Sequence, residues 1–379
     1  MAIGKTPTQH TALVPTIKIG AVVAQTGVHA AGGRATREGY AFWANWVNAH
    51  GGIPIGKQRV RVELIERDDE SNPSFTTQLT ERLIDEDQVA FLLGPATSAE
   101  TMAAAAVAER KGVPLVTGTG PAEMTFEQGY RQLFGVMTPA RATFDGLLSY
   151  VHRQHPHLHT IAVVAANDSA SLEAQQGALQ RAYDLGLHVV ASDRYPRGAS
   201  ADLAPRLAFL KPAIILNASH LSDALTFRRA LADAHLNPPI FSQAFAAELP
   251  AYAASLGRLA NNTLSPSQWS DKITIQGQGT FFPASAAAYA QAFAHFAHHQ
   301  ANSTNASASA AALALELALV HAGSSNPTRV QHALRTLHAA TFYGNLSFDA
   351  RGLNSNKPMY IHQLEHGRLN TLSPARQRR

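Results

Sequence analysis

The feature that most constrains this chain is an alternation that runs along it twice: a short apolar β-rich run, a turn, a helical stretch, and the same again. Residues 17–24 are almost continuously apolar, as a parallel strand buried on both faces must be. A Gly-containing loop follows over 25–33. Residues 35–48 place Tyr40, Trp43 and Val47 at helical spacing, and Gly51-Gly52 stops the helix. Strands are expected at 59–66, 89–93 and 113–116. Helices are expected from Asn72-Pro73 and from Ser98 to Lys111. A second set gives helices at 143–154, 171–185, 201–209 and 222–234. Its strands fall at 160–165, 188–191, 213–216 and 240–242. Strands alternating with helices across short loops predict doubly wound α/β lobes with mainly parallel sheets.

The pattern changes after Pro266. Long helices are expected at 284–300 and 307–322 and a third at 327–337. Residues 344–349, a turn at Gly352 and a strand at 359–364 follow. Helices placed after the second set suggest that the chain recrosses between lobes. The longest apolar stretch, 310–320, carries Glu316 and is short of the about 20 residues that a membrane span needs. Residues 1–16 have no apolar run of a secretory signal, which leaves open a cytoplasmic protein or a mature form with a replaced start.

Composition excludes several chemistries. With no cysteine there is no disulfide, thiolate metal site or cysteine nucleophile. A net charge of +4 spread over 379 residues is no nucleic-acid footprint. Neither a phosphate loop, a dinucleotide fingerprint, HExxH nor GxSxG is present. His155, His157, His159 and His295, His298, His299 read as solvated histidines rather than a metal site, because no carboxylate clusters with either group. Asp68-Asp69-Glu70 after a strand reads as a solvated loop. No catalytic constellation emerges, and neither a cofactor nor a metal is expected.

Residues 17–20 with Thr26-Gly27, Asn48 to Ile53, and Val62 to Asp69 resemble the start of the leucine/isoleucine/valine-binding proteins, the type I periplasmic binding proteins of ABC transporters. Leu93-Gly94-Pro95-Ala-Thr97-Ser98 followed by Gly112 to Val116 resembles a second hallmark of that family, and Gly344 to Gly352 its closing motif. The likeness spans about residues 17–368. It implies two doubly wound α/β lobes joined by three hinge crossovers, near Thr138, Pro266 and Tyr343. The first lobe would hold 17–137 plus 266–342 and the second 138–265 plus 343–368, with flexible tails at 1–16 and 369–379. A small-molecule ligand would lie between the lobes and be buried by hinge closure. The resemblance also implies a periplasmic or extracytoplasmic monomer, with no enzymatic activity and an ABC permease as partner. A sensor of the same fold feeding a signalling system is the alternative.

Carried over residue by residue, Ser98 matches the serine that binds the ligand carboxylate, and Thr119 lies in a loop that contacts it. Pro121 stands where many members carry a further threonine. In the second lobe Asn167-Asp168-Ser169 replaces a loop with tyrosine, and His220 stands near an expected aromatic. The acid that clamps an ammonium aligns with Phe245. Gln25, Thr97, Thr117 and Trp269 complete the expected contacts. The missing acid points to a ligand that keeps a carboxylate but lacks an α-ammonium, an aromatic or branched aliphatic acid, because an unpaired buried charge costs several kcal/mol. Asp168, Glu123 and Glu248 are the residues that could supply a clamp from another direction.

Overall fold

The structure, a computed structural model, describes residues 15–277, 282–355 and 357–374. The chain opens with β1 (Thr16–Val22), α1 (Ala30–Ala49) and the hairpin β2 (Ile53–Ile55) and β3 (Gln58–Arg67). It continues through α2 (Pro73–Asp85), β4 (Phe91–Leu93), α3 (Ser98–Lys111), β5 (Leu115–Thr117), the short α4 (Glu123–Phe126) and β6 (Leu133–Gly135). These strands form one sheet in the order β2-β3-β1-β4-β5-β6, parallel except for the β2–β3 hairpin. Ile17, Ile19, Ala21 and Val23 point into its core beside Tyr40 and Trp43 of α1.

The second lobe repeats the plan with α5 (Asp145–Gln154), β7 (Thr160–Ala166), α6 (Ser169–Asp184), β8 (His188–Tyr195), α7 (Ala204–Leu210) and β9 (Ile214–Ala218). Then come α8 (Leu221–Asp233), β10 (Ile240–Ala244), α9 (Pro250–Leu256) and β11 (Thr263–Ser267). The chain returns to the first lobe as α10 (Ala286–Ala297), α11 (Ser303–Ala322) and α12 (Pro327–Arg335), whose buried side chains join the first core. By length and composition α11 could cross a membrane, but 78% of that window is buried inside the fold. It is a core helix, packed on α1, with Glu316 accepting a hydrogen bond from Trp43 Nε1 at 2.7 Å.

The strands β12 (His338–Thr341) and β13 (Gly344–Ser347) pair with each other, and β14 (Tyr360–Glu365) and β15 (Arg368–Pro374) close the second sheet. That sheet runs β15-β14-β11-β10-β9-β7-β8.

Two boundaries differ from the sequence reading. The third crossover does not fall at Tyr343. Tyr343, Leu346 and Phe348 belong to the first lobe's core, Leu353 bridges Gly135 of β6, and the chain changes lobe only between Asn354 and Tyr360. The apolar side chains of 342–348 need the first core, and this delays the crossing. The expected tail at 369–379 is a strand as far as Pro374, because β14 offers an antiparallel edge that β15 pairs. The expected tail residues 1–14 and 375–379 lie outside the described residues.

The three crossover segments are tied together. Gln268 receives the Thr138 N–H on Oε1 at 2.9 Å and returns a bond from Nε2 to Thr138 O at 3.0 Å. The Thr138 hydroxyl donates to Lys357 O at 2.8 Å, and Lys357 Nζ donates to Gln268 O. Lys357 is buried over the Tyr343 ring, 4.2 Å from its centre, and burial brings its pKa down to about 7.

Candidate ligand cleft between the lobes

In both sheets the strand order reverses beside the first strand of the set, β1 in one and β7 in the other. Helices leave opposite faces at such a point and open a crevice beyond the carboxyl ends of the strands. The two crevices face each other and enclose a cavity of about 590 Å³. Its first wall comes from the loops after β1, β4 and β5 and the start of α11. Its second wall comes from the loops after β7, β9 and β10, and its floor from the crossovers at Met137, Pro266, Gln268 and Met359.

The first turns of α3, α6, α8 and α11 all line this cavity, through Ser98 and Ala99, Ser169 and Ala170, Ser222, and Ser303 and Thr304. N–H groups in a helix's first turn have no partner within the helix, and the dipole adds positive potential there. Such ends suit an anion, although at α6 the Asp168 carboxylate already takes that place and Asp223 and Glu248 also line the cavity.

Of the expected contacts, Thr97, Ser98, Thr119, Asp168, Ser169, His220 and Phe245 line the cavity. Their roles are finer than the sequence implied. Thr97, not Ser98, caps α3: its hydroxyl receives the Glu100 N–H while Glu100 Oε2 receives the Thr97 N–H at 3.0 Å. Ser98 is thereby freed from capping. Its Oγ accepts from Ala122 N at 3.2 Å, which leaves the hydroxyl proton to donate into the cavity. Thr119 has its donors committed, the hydroxyl to Pro95 O and the N–H to Thr117 Oγ1 at 3.1 Å. It shapes the wall and can only accept there.

Three expected contacts lie elsewhere. Gln25 is held away by its N–H to Asp68 Oδ1, 2.9 Å. Thr117 is buried behind Thr119, to whose carbonyl it donates at 2.8 Å. Trp269 sits in the first core, edge-on to Tyr289, with Nε1 donating to Phe342 O at 3.2 Å. A one-residue turn past the floor residue Gln268 is enough to put the indole in the core. The run at 68–70 is not a solvated loop either. Asp69 is fully buried and accepts from Thr76 Oγ1 at 2.7 Å, while Asp68 binds the N–H groups of Gln25, Thr26 and Glu70. These carboxylates hold the loop that carries His29.

On the second wall His220 stacks on Phe245, ring centres 6.1 Å apart at 27°, and lies 3.9 Å from Asp168 Oδ2. Phe245 has a positive φ of 64°, a strained conformation for a bulky residue. Beneath them is a closed polar network. Tyr195 OH donates to Asn217 Oδ1 at 2.8 Å, and Asn217 Nδ2 donates to Gln243 Oε1 at 2.8 Å. Gln243 in turn donates to Ser219 O at 3.1 Å. Of the three candidate clamps, Asp168 and Glu248 line the cavity and Glu123 does not. Asp168 caps α6 through Ser171 N and Oγ, at 3.0 and 2.7 Å. Glu248 accepts from Ser303 Oγ and lies 2.8 Å from His362 Nδ1. Among the described residues no cluster of histidines and carboxylates could hold a metal ion.

The sequence profile of the periplasmic binding protein family matches residues 16–368. The chain belongs to the periplasmic binding protein family. This binding protein is similar to the branched-chain amino acid transporter substrate binding protein LivJ from Streptococcus pneumoniae, solved with isoleucine. The two are 20% identical with a TM-score of 0.81, over 95% of this chain and 100% of that one. An ABC transporter solute binding protein from R. palustris, solved with benzoate, is 18% identical with a TM-score of 0.80, over 95% and 96% of the two chains. A second from Rhodopseudomonas palustris, solved with 3,4-dihydroxybenzoic acid, is 16% identical with a TM-score of 0.78, over 96% and 98%. At these identities the structural likeness establishes the fold of two mixed α/β lobes, the type I periplasmic binding protein fold.

Arg197, His29 and Ser303 line the cavity without having been expected from sequence as contacts, whereas Glu248 was named from sequence only as an alternative clamp. His29 and Arg197 sit in loops with no motif. Glu248 follows Phe245 by three residues, and only the turn at Phe245 brings it to the cavity.

Proposed function

We propose that this chain is the extracytoplasmic solute-binding component of an ABC importer, that it performs no chemistry, and that it carries a small monocarboxylate lacking an α-ammonium. The observation that supports this most is the convergence of helix N-termini and the Ser98 hydroxyl, whose proton is left to donate, on one cavity between the lobes. That arrangement favours a carboxylate over a neutral or cationic ligand. The body of the ligand would rest against Phe245 and His220, whose stacked rings offer a flat, partly apolar wall. A ligand ammonium would need an anionic partner, and Phe245 fills the position aligned with the acid that clamps one. Asp168 caps α6 and Glu248 meets Ser303 and His362, so neither carboxylate stands at the aligned place. Benzoate and dihydroxybenzoate in two similar proteins support an aromatic acid. Isoleucine in a third marks the competing class.

The test is a thermal-shift screen followed by calorimetry with benzoate, 4-methylpentanoate and leucine. Ligands that bind the native state raise the melting temperature. The expected result is binding of the acids without the amino group, each recovered unchanged. Leucine binding tenfold more tightly than 4-methylpentanoate, about 1.4 kcal/mol, would overturn the ligand class. No binding by any of the three would overturn the carboxylate reading.

A further inference from the structure

We propose that His29 and Arg197 form a latch that holds the two lobes closed over the ligand, and that protonation of His29 releases it. The inference rests on the cleft being the ligand site. His29 ends the loop before α1 in the first lobe, and Arg197 lies in the loop after β8 in the second. Arg197 Nη2 is 3.1 Å from His29 Nε2. A guanidinium can only donate, so Nε2 must be the unprotonated ring nitrogen that accepts. An imidazolium has no lone pair to offer and would face a like charge. The same His29 ring meets His220 edge-on, 5.0 Å between centres, and His220 stacks on Phe245. One histidine of the first wall thus touches the polar and the aromatic parts of the second, and all four side chains line the cavity.

The groups facing His29 from the second lobe are Arg197, His220 and Asp168. On its own lobe Asp68 is tied to Gln25 and Thr26 at the start of the loop, and Ser71 Oγ receives the His29 N–H at 3.0 Å. Burial, then His220 and Arg197, push the imidazole down to about 4, against a smaller upward pull from Asp168. Closing therefore expels a proton, so closure weakens as pH falls. With the ordinary value of 6.5 in the open cleft and about 4 in the closed one, linkage gives a loss of closing on the order of 50-fold between about pH 7 and about pH 4.5.

Small-angle scattering and benzoate calorimetry on wild type, H29Q, H29A and R197A at those two pH values test the latch, with circular dichroism to verify folding. The glutamine amide oxygen can accept the Arg197 bond and does not titrate, so H29Q should keep its closed radius at both pH values, and its affinity should differ far less between them than that of wild type. Wild type should open and lose affinity at the lower pH. H29A and R197A should be more open than wild type at neutral pH, with and without benzoate, and their affinity should change less with pH. Equal radii for wild type, H29A and R197A without ligand would overturn the latch whether or not benzoate binds. An H29Q variant that loses affinity in acid as steeply as wild type would overturn the assignment of the proton to His29. If benzoate and leucine both fail to bind while the ligand-free radii differ as expected, the site reading fails and the latch stands.

Discussion

The two walls of the cleft are built on one β/α plan yet offer opposite chemistry. The first wall is small and donor-rich: Ser98, Ala99, Ser303 and Thr304 at helix starts, with Gly120 and Pro121 in a tight loop. The second is bulky and titratable, with Arg197, His220, Phe245 and Asp168, propped on the buried Tyr195–Asn217–Gln243 network. The first wall has its backbone brought close enough to hold a charged group. The second has side chains that can discriminate what is attached to it. The physical lesson is that anchoring comes from main-chain geometry, which tolerates few substitutions, whereas selectivity comes from side chains over a supported floor.

The sharpest way to break this contrast is to add one carbon to the first wall. Gly120 has φ 68°, and a Cβ there would lie 2.6 Å from Thr101 Oγ1, 3.0 Å from Thr97 O and 3.1 Å from Ser98 Cα. Left-handed backbone strain plus overpacking should make Gly120→Ala cost roughly 2–4 kcal/mol of stability. Binding should fall with it, because the Ser98 loop is what must shift. Chemical denaturation and calorimetry on the same variant measure both. A stable variant with intact binding would show the first wall to be as adaptable as the second.

Ser98→Ala is milder, since Thr97 keeps the helix cap. It should weaken carboxylate binding by about 1–3 kcal/mol, the loss of a hydrogen bond to a charged group, with little change in melting temperature. A drop in melting temperature with unchanged affinity would instead make the Ser98–Ala122 bond structural. The smallest effect is expected on the second wall. Phe245→Glu places an acid where the wall now has an aromatic ring, and should shift selectivity toward leucine over 4-methylpentanoate by about tenfold, or 1.4 kcal/mol. Competition calorimetry decides it. Unchanged selectivity would mean that the second wall does not read the α-substituent.

The sequence made the two-lobe plan legible because period and punctuation are local. Residues 17–24 can only be a doubly buried strand, and Gly51-Gly52 or Gly112 end helices through backbone conformations that glycine accepts, with φ of 88°, 94° and 69°. The short elements escaped. The strands β2, β6, β12 and β15 are three to seven residues long and exist through a neighbouring edge, which no window along the chain can see. On the first wall Thr97, Ser98 and Thr119 were readable, since they follow strand ends before a helix or loop, but Gln25 and Thr117 fell outside the cavity and His29 and Ser303 were missed. On the second wall Asp168, Ser169, His220 and Phe245 were readable and Arg197 was not, because the course of its loop is set by what it packs against.

By itself, then, the chain determined its α/β alternation, its helix ends and the serine at the start of α3, since these follow from residue-to-residue spacing and backbone preference. The tertiary structure alone decided that Trp269 turns into the first core while Gln268 faces the crossovers, and that Thr119 has its donors bound internally. It alone carried the chain past Tyr343 before it crosses. It alone set His29 of one lobe against Arg197 of the other, 168 residues apart in sequence. Such pairings depend on how two separately folded lobes meet, and the free energy that fixes them lies in contacts between residues whose separation along the chain carries no pattern.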